Sequence, residues 1–204
     1  MGTAILLSAI GFFAGSIPFG WVLTRLRGID IQRIGSGNIG ATNVTRALGP
    51  GWGLVVFLLD AAKGGLPVVL ARMVTPEQPA VWAWTGLAAI CGHMFTPWLR
   101  FRGGKGVATG FGAFLVIAPW AALMALGTFM VILAIFRIVS VASLTAAAAF
   151  VIYLRVFFHA PWMMWWPALL AVVLIWIRHR DNLLRLMQGQ EVSVIDDLTA
   201  RRRS

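Results

Sequence analysis

"VATGFGAFLVIAPWAALMALGTFMVILAIF", residues 107–136, runs for 30 residues without a single charge. A helix of about 20 apolar residues crosses a bilayer, so this run is long for one crossing and short for two. Pro119 lies near its middle, where proline removes a backbone donor and ends or kinks a helix. Whether the run crosses once or twice decides on which side of a membrane every later segment lies, and therefore the fold.

That a membrane is involved follows from composition. The chain has 204 residues, of which 59% are hydrophobic and 12% charged, and it holds ten tryptophans, values outside the range of soluble domains. The net charge of +10 would suggest nucleic acid in a soluble protein. Here the apolar runs account for the chain and the arginines fall between them, so no nucleic-acid partner is expected; retaining loops and holding anions are the better uses. The single cysteine, Cys91, excludes an internal disulfide and a multi-cysteine metal site, and reads as a small core residue. Residues 1–23 lack a basic start and a small-residue cleavage site, so they read as a retained span.

Cutting the chain at charge, glycine and proline leaves clear spans at 3–24, 52–71, 80–99, 139–157 and 162–177. Short cytoplasmic loops collect lysine and arginine. Arg25, Arg27, Arg33 and Arg46 follow the first span; Arg100, Arg102 and Lys105 follow the third; Arg137 follows the long run; Arg178, Arg180, Arg185 and Arg201–Arg203 follow the last. Two short helices broken near Pro119 put all of these on one side, whereas a single helix moves Arg137 and the basic tail to the other. The expected fold is an all-α membrane protein of seven transmembrane helices, some short, with glycine-rich cytoplasmic loops forming the site. The whole chain, 1–204, is one domain without an internal repeat, its N-terminus outside and its C-terminus in the cytoplasm. Arg72 and Arg155 then lie near the outer face, where long side chains snorkel.

Three polar segments gather on the cytoplasmic side. "IGSGNIGATNVTRALG", residues 34–49, reads as a loop whose Gly35, Gly37 and Gly40 turn successive backbone amides toward a shared centre suited to phosphate oxygens. Arg46 offers a two-pronged partner, and Ser36, Asn38, Thr42 and Asn43 offer neutral donors. The plainer alternative, a flexible linker, does not call for so many donors beside an arginine. "GHMFTPWLRFRGGKGVATGFG", residues 92–112, places Lys105 among Gly103, Gly104 and Gly106 just before a helix start, where backbone donors and the helix dipole favour anions. A Walker A loop is excluded by spacing, because that motif needs glycine where Leu99 stands and serine or threonine where Gly106 stands. "RHRDNLLRLMQGQE", residues 178–191, puts His179 and Asn182 three apart on one face of a continuing helix, which Arg185 extends. An arginine- and leucine-rich helix resting on anionic lipid is the equal alternative there.

Other polar residues belong with these. Asp60 and Lys63, three apart near the cytoplasmic end of the second span, form either a structural ion pair or part of a working cavity. Ser140 and Ser143 open the sixth span, where serines also serve as helix caps. His93 lies within reach of the site, and His159 lies on the outer side, away from it.

Taken in order, "GSIPFG" (residues 15–20), "GSGNIGATN" with Arg46, "DAAKG" (60–64), "GH" with Pro97, "FRGGKGVAT" (101–109) and "RHRDNLLRLMQGQE" resemble the bacterial acyl-phosphate-dependent glycerol-3-phosphate acyltransferases in order and spacing, over essentially the whole chain. The resemblance implies a seven-helix enzyme of the bacterial inner membrane, working as a monomer. It would move a fatty acyl group from acyl phosphate to the 1-hydroxyl of sn-glycerol 3-phosphate, giving lysophosphatidic acid and phosphate at the start of phospholipid synthesis. It implies that Ser36, Asn38, Thr42, Asn43, Arg46, Lys105, His179 and Asn182 line the site, with Ser143 beside them, and that neither cofactor nor metal is needed.

The residues by themselves fit that chemistry. Two cationic glycine-rich segments suit two phosphate-bearing substrates, and a lipid-embedded chain suits an acyl tail. No Ser-His-Asp triad can be assembled and no G-x-S-x-G elbow is present, which favours direct attack by the glycerol hydroxyl. Its proton would pass to a substrate phosphate, with a second pKa near 6, or to His179. An anion transporter would also carry cationic glycine loops among broken helices, but it would place them at the midplane and show repeat symmetry.

Overall fold

The computed structural model describes residues 1–193. The basic cluster at residues 201–203 lies outside the described residues. Among those described there are helices and no strands: α1 (Gly2–Ser16), α2 (Phe19–Arg25), α3 (Ala41–Leu48), α4 (Pro50–Val74), α5 (Pro79–Met94), α6 (Val107–Ile117), α7 (Pro119–Phe136), α8 (Val139–Val156), α9 (Trp162–Arg178) and α10 (Arg180–Met187), with 3-10 turns at Ile31–Arg33 and Pro97–Leu99.

The charge-free run is divided where the proline predicts. α6 ends at Ile117, Ala118 turns out of the helix, and Pro119 opens α7, a position at which proline's missing amide costs nothing. The 11 residues of α6 rise only about 16 Å, roughly half the hydrocarbon thickness. Among the described residues, four stretches are long and apolar enough to cross a membrane alone, Gly2–Arg25, α4, α7 and α8, and α9 with α10 makes a fifth if their 52° bend is counted as one span. The third expected span is shorter than its apolar run suggests. α5 stops at Met94 and the residues up to Leu99 turn away through Pro97, because the residue before a proline leaves the helical region.

The first span is broken at Ile17-Pro18, between α1 and α2. The carbonyls that the break releases are met by side chains from just past the end of α5 and from the middle of α4. Thr96 Oγ1 donates to Ser16 O at 2.6 Å and Lys63 Nζ donates to Ile17 O at 2.6 Å, while Trp98 Nε1 donates to Ser16 Oγ at 2.9 Å. In a bilayer core every such group must find a protein partner.

Small residues bring the helix axes together. A Cβ on Gly15 would stand 2.0 Å from Ala89 O and one on Gly92 2.0 Å from Phe12 O, closing α1 onto α5. Between α4 and α6, Cβ atoms on Gly64 and Gly112 would stand 2.1 Å from Thr109 O and 1.9 Å from Ala61 O. Since lipid tails are as apolar as leucine, such close backbone packing is what holds helices together in a membrane. α7 instead packs on α8 and leaves most of its surface outward, with Met130, Val131 and Ile135 exposed. Arg72 reaches Val116 O at 2.8 Å and stacks over Trp82, and Arg155 stacks over Trp162. Both arginines therefore have local partners at the end of the bundle away from the glycine-rich loops.

A candidate active site at the loop end of the bundle

The segment 34–49 is a turn followed by a helix, not the continuous loop that its glycines suggest. Gly35 and Gly37 take positive φ (54° and 67°), Gly40 precedes the helix, and Ala41–Leu48 form α3 until Gly49 (φ 97°) ends it. From Ala41 to Leu48 no glycine intervenes, so helical propensity is intact there. The expectation of a nest of free amides does not hold. Ser36 N donates to Asn43 Oδ1, Gly37 N to Ile34 O and Gly40 N to Asn38 Oδ1.

Asn43 organises this turn rather than offering free donors. It is 2% exposed, and its Nδ2 lies within hydrogen-bonding distance of the carbonyls of Ile31, Ile34 and Asn38. A Cβ on Gly35 would meet Asn43 Oδ1 at 2.5 Å, which is why that position is bare.

Gly103 and Gly104 also differ from expectation. Their amides donate to Met94 O and His93 O, carbonyls left over at the end of α5, and their own carbonyls accept from Arg178 (Nη2 to Gly103 O at 2.7 Å, Nε to Gly104 O at 3.1 Å). A Cβ on Gly103 would lie 2.0 Å from His93 O and one on Gly104 2.0 Å from His93 Nε2. The two glycines therefore wedge the loop between the ends of α5 and α9, and the helix that follows presents the donors. Neither they nor Gly35 and Gly37 border the cavity described next.

That cavity, about 430 Å³, is bordered at its polar end by Ser36, Asn38, Gly40, Thr42, Asn43, Arg46, Lys105, Gly106, Ser140, Ser143, His179 and Asn182. The first residues of α3 (Ala41, Thr42) and of α6 (Val107, Ala108) lie on its wall as well. Two helix starts and two cationic side chains thus converge, an arrangement that favours anions. Away from this end the wall is mostly apolar: Phe57, Phe111, Phe114, Leu126, Phe129, Phe150, Val172 and Ile175.

Lys105 Nζ donates to Asn182 Oδ1. Asn182 Nδ2 donates to Glu191 Oε1, which also accepts from Ser140 Oγ at 2.7 Å, and Arg185 Nε donates to Glu191 Oε2 at 2.8 Å. Burial disfavours the charged form of Lys105 and brings its pKa down to about 8, against the pull of Glu191 in the other direction. Burial raises the Glu191 carboxyl, but hydrogen bonds from Asn182, Ser140 and Arg185 outweigh it and leave the pKa below the usual value.

His179 is not on a continuing helix. α9 ends at Arg178, His179 sits at the bend, and α10 leaves from it. The bend turns both His179 and Asn182 toward the cavity, buried at 3% and 7% exposure. Because a carbonyl only accepts, the contact of His179 Nδ1 with Ile175 O at 2.8 Å makes Nδ1 the protonated nitrogen and leaves Nε2 as an acceptor. Burial, with Lys105 nearby, lowers its pKa to about 4, so the ring is neutral at pH 7.

Asp60 and His93 border the cavity too. The Asp60–Lys63 ion pair, 2.7 Å, is buried 10 to 13 residues into α4 rather than near its start, and His93 Nδ1 lies 3.8 Å from Asp60 Oδ1. The sequence reading missed Glu191 and the clamp made by Arg178. Their only local signals were a carboxylate closing an arginine-rich segment and an arginine at a helix end. Among the described residues no three His, Cys, Asp or Glu side chains gather to hold a metal ion. His159 lies outside the cavity wall.

Comparison with known proteins gives a consistent result. A family model described as glycerol-3-phosphate acyltransferase matches residues 5–189. A glycerol-3-phosphate acyltransferase of Anaeromyxobacter dehalogenans (strain 2CP-C) is 49% identical over 92% of this chain and 96% of its own, and one of Myxococcus xanthus (strain DK1622) is 48% identical over 94% and 98%. Crystal structures of PlsY (YgiH), an integral membrane glycerol 3-phosphate acyltransferase, superpose with TM-scores of 0.90 and 0.89. The first, the glycerol 3-phosphate form, is 40% identical over 94% of this chain and 95% of its own; the second, the "lysphosphatidic acid form", is 39% identical over 97% and 99%.

Proposed function

The chain belongs to the glycerol-3-phosphate acyltransferase family, and we propose that its donor is an acyl phosphate and its products are 1-acyl-glycerol 3-phosphate and inorganic phosphate. The observation that carries this reading is one cavity with Arg46, Lys105 and two helix starts at one end and aromatic and aliphatic side chains along most of the rest. Both substrates bear a phosphate and one bears a long apolar chain, so a site divided in this way suits the pair.

In this reaction the 1-hydroxyl oxygen of sn-glycerol 3-phosphate attacks the acyl carbonyl carbon and an ester C–O bond forms. The bond from that carbon to the bridging oxygen breaks, and phosphate leaves with the electron pair. A mixed anhydride is already activated, so we propose no cofactor and no metal. Lys105 and Arg46 offset the charge gathering on the departing phosphate. The hydroxyl proton goes to a phosphate oxygen, whose second pKa near 6 makes it a stronger base than His179 at about 4. His179 and Asn182 act as neutral hydrogen-bonding groups, and Ser36 donates a hydrogen bond without becoming acylated.

We place the cavity on the cytoplasmic side of a bacterial inner membrane, with seven crossings by one chain and the N-terminus outside. The arginine clusters after α2, α5, α7 and α9 all lie at the end of the bundle that carries the cavity, which supports this orientation.

The test is an assay of the purified protein with palmitoyl phosphate and glycerol 3-phosphate in the presence of a chelator. Release of phosphate and of lysophosphatidic acid in equal amounts is expected. A requirement for acyl-CoA, acyl carrier protein, ATP or metal would overturn the donor assignment.

A further inference from the structure

The cavity stops partway along four helices. Its wall extends as far as Phe114 on α6, Ala122 on α7, Phe150 on α8 and Ala171 on α9. The residues one to four positions farther on, Ile117, Ala121, Leu154 and Ala168, pack in the core and do not border it. Where it stops, the rings of Phe114 and Phe150 meet, with centroids 4.7 Å apart at 43° and each residue 5% exposed. Immediately above them the wall is lined by small side chains, Ala125, Ala146 and Ala147.

We propose that the Phe114–Phe150 ring pair is the floor on which the methyl end of the acyl chain stops, and hence that it sets the chain-length preference. The proposal rests on the acyl-transfer reading above. From Ser140, at the polar end, to Phe150, α8 rises about 15 Å at 1.5 Å per residue. An extended chain advances about 1.25 Å per carbon, from a C–C bond of about 1.52 Å at a near-tetrahedral angle. About twelve carbons therefore lie straight between the polar end and the rings. Longer chains must coil or displace the rings, against a core packed behind them.

The floor can be lowered or raised. Phe150→Ala removes a ring reaching roughly 4 Å beyond Cβ, room for about three more carbons. Ala147→Leu fills the wall above the rings and shortens the space.

The experiment measures kcat/KM of the full-length protein for acyl phosphates from 10 to about 18 carbons, with glycerol 3-phosphate saturating. The palmitoyl-to-lauroyl ratio is expected to rise about tenfold or more in Phe150→Ala and to fall by a similar factor in Ala147→Leu, a methylene in an apolar pocket being worth about tenfold or more. Phe114→Leu reads the same ratio, in the direction of longer chains, should Phe150→Ala not fold. A ratio unchanged in variants that still turn over would overturn the floor. Failure of the parent protein to use any acyl phosphate would count against the donor assignment instead, and the chain-length series would then be run with whichever acyl donor is active.

Discussion

Lys105, in the loop before α6, donates a hydrogen bond to Asn182, in α10, across 77 residues of sequence. The partner fixes where the ammonium stands, and Glu191 fixes the partner through Asn182 Nδ2. The ammonium of Lys105 is thus held by a segment that follows the last membrane helix.

A pH dependence follows from that ammonium. With its pKa down to about 8, Lys105 is charged below that pH and neutral above it, so kcat/KM should fall on the basic limb as pH rises through about 8. Glu191 raises the Lys105 pKa, so Glu191→Gln should move the limb to lower pH as well as reduce turnover. Lys105→Arg should abolish the limb between pH 7 and about 10, because arginine stays charged. A limb unmoved by Lys105→Arg would assign it to another group.

The role proposed for Arg46 uses the planar fork of an arginine, which suits two oxygens of one phosphate. Arg46→Ala and Lys105→Ala should each lower kcat/KM about a hundredfold or more, a loss of about 2.7 kcal/mol of transition-state stabilisation. Arg46→Lys should recover little of it. Steady-state kinetics that showed full recovery in Arg46→Lys would mean that charge alone is used there.

Direct transfer leaves no acyl group on the protein. Incubation with radiolabelled acyl phosphate alone should leave Ser36 unlabelled, and Ser36→Ala should slow turnover without abolishing it. Isolation of an acylated Ser36 peptide would establish a covalent route in its place.

The buried Asp60–Lys63 pair, each side chain 3% exposed, is stable only when complete. Removing one partner of such a pair costs about 3–5 kcal/mol, so Asp60→Ala should lower the melting temperature in detergent markedly. Lys63 also donates to Ile17 O at the break between α1 and α2, so Lys63→Met should destabilise as well. A double variant Asp60→Leu/Lys63→Met should recover part of the loss by removing both charges, and double-variant melting no better than the worse single one would show that the Ile17 contact dominates.

Orientation is read by labelling. Cysteines placed at Gln78 and Ala160 should react with an impermeant thiol reagent from the periplasmic side of intact cells, and one at Gln188 should not. Ala160 is 5% exposed, so Gln78 and Gln188, both at helix ends, are the decisive pair; reaction of Gln188 from outside would reverse the proposed topology.

What the sequence determined by itself is what depends on neighbours along the chain. Apolar length marked the spans, Pro119 marked the division between α6 and α7, and the ordered motifs carried the family. Each is a local property, set by backbone sterics and by the cost of polar groups in hydrocarbon. The tertiary structure decided how the polar groups of those motifs are used. The amides of Gly37, Gly103 and Gly104 looked free in sequence but bond to Ile34, Met94 and His93. Asn43 closes its own turn, and Glu191 holds the asparagine that holds Lys105. The cavity floor joins Phe114 and Phe150 from two helices. A hydrogen bond or ring contact between residues tens of positions apart leaves no periodicity in the chain, because it forms only when separate helices, brought close by bare glycines such as Gly64 and Gly112, place both partners within a few ångströms.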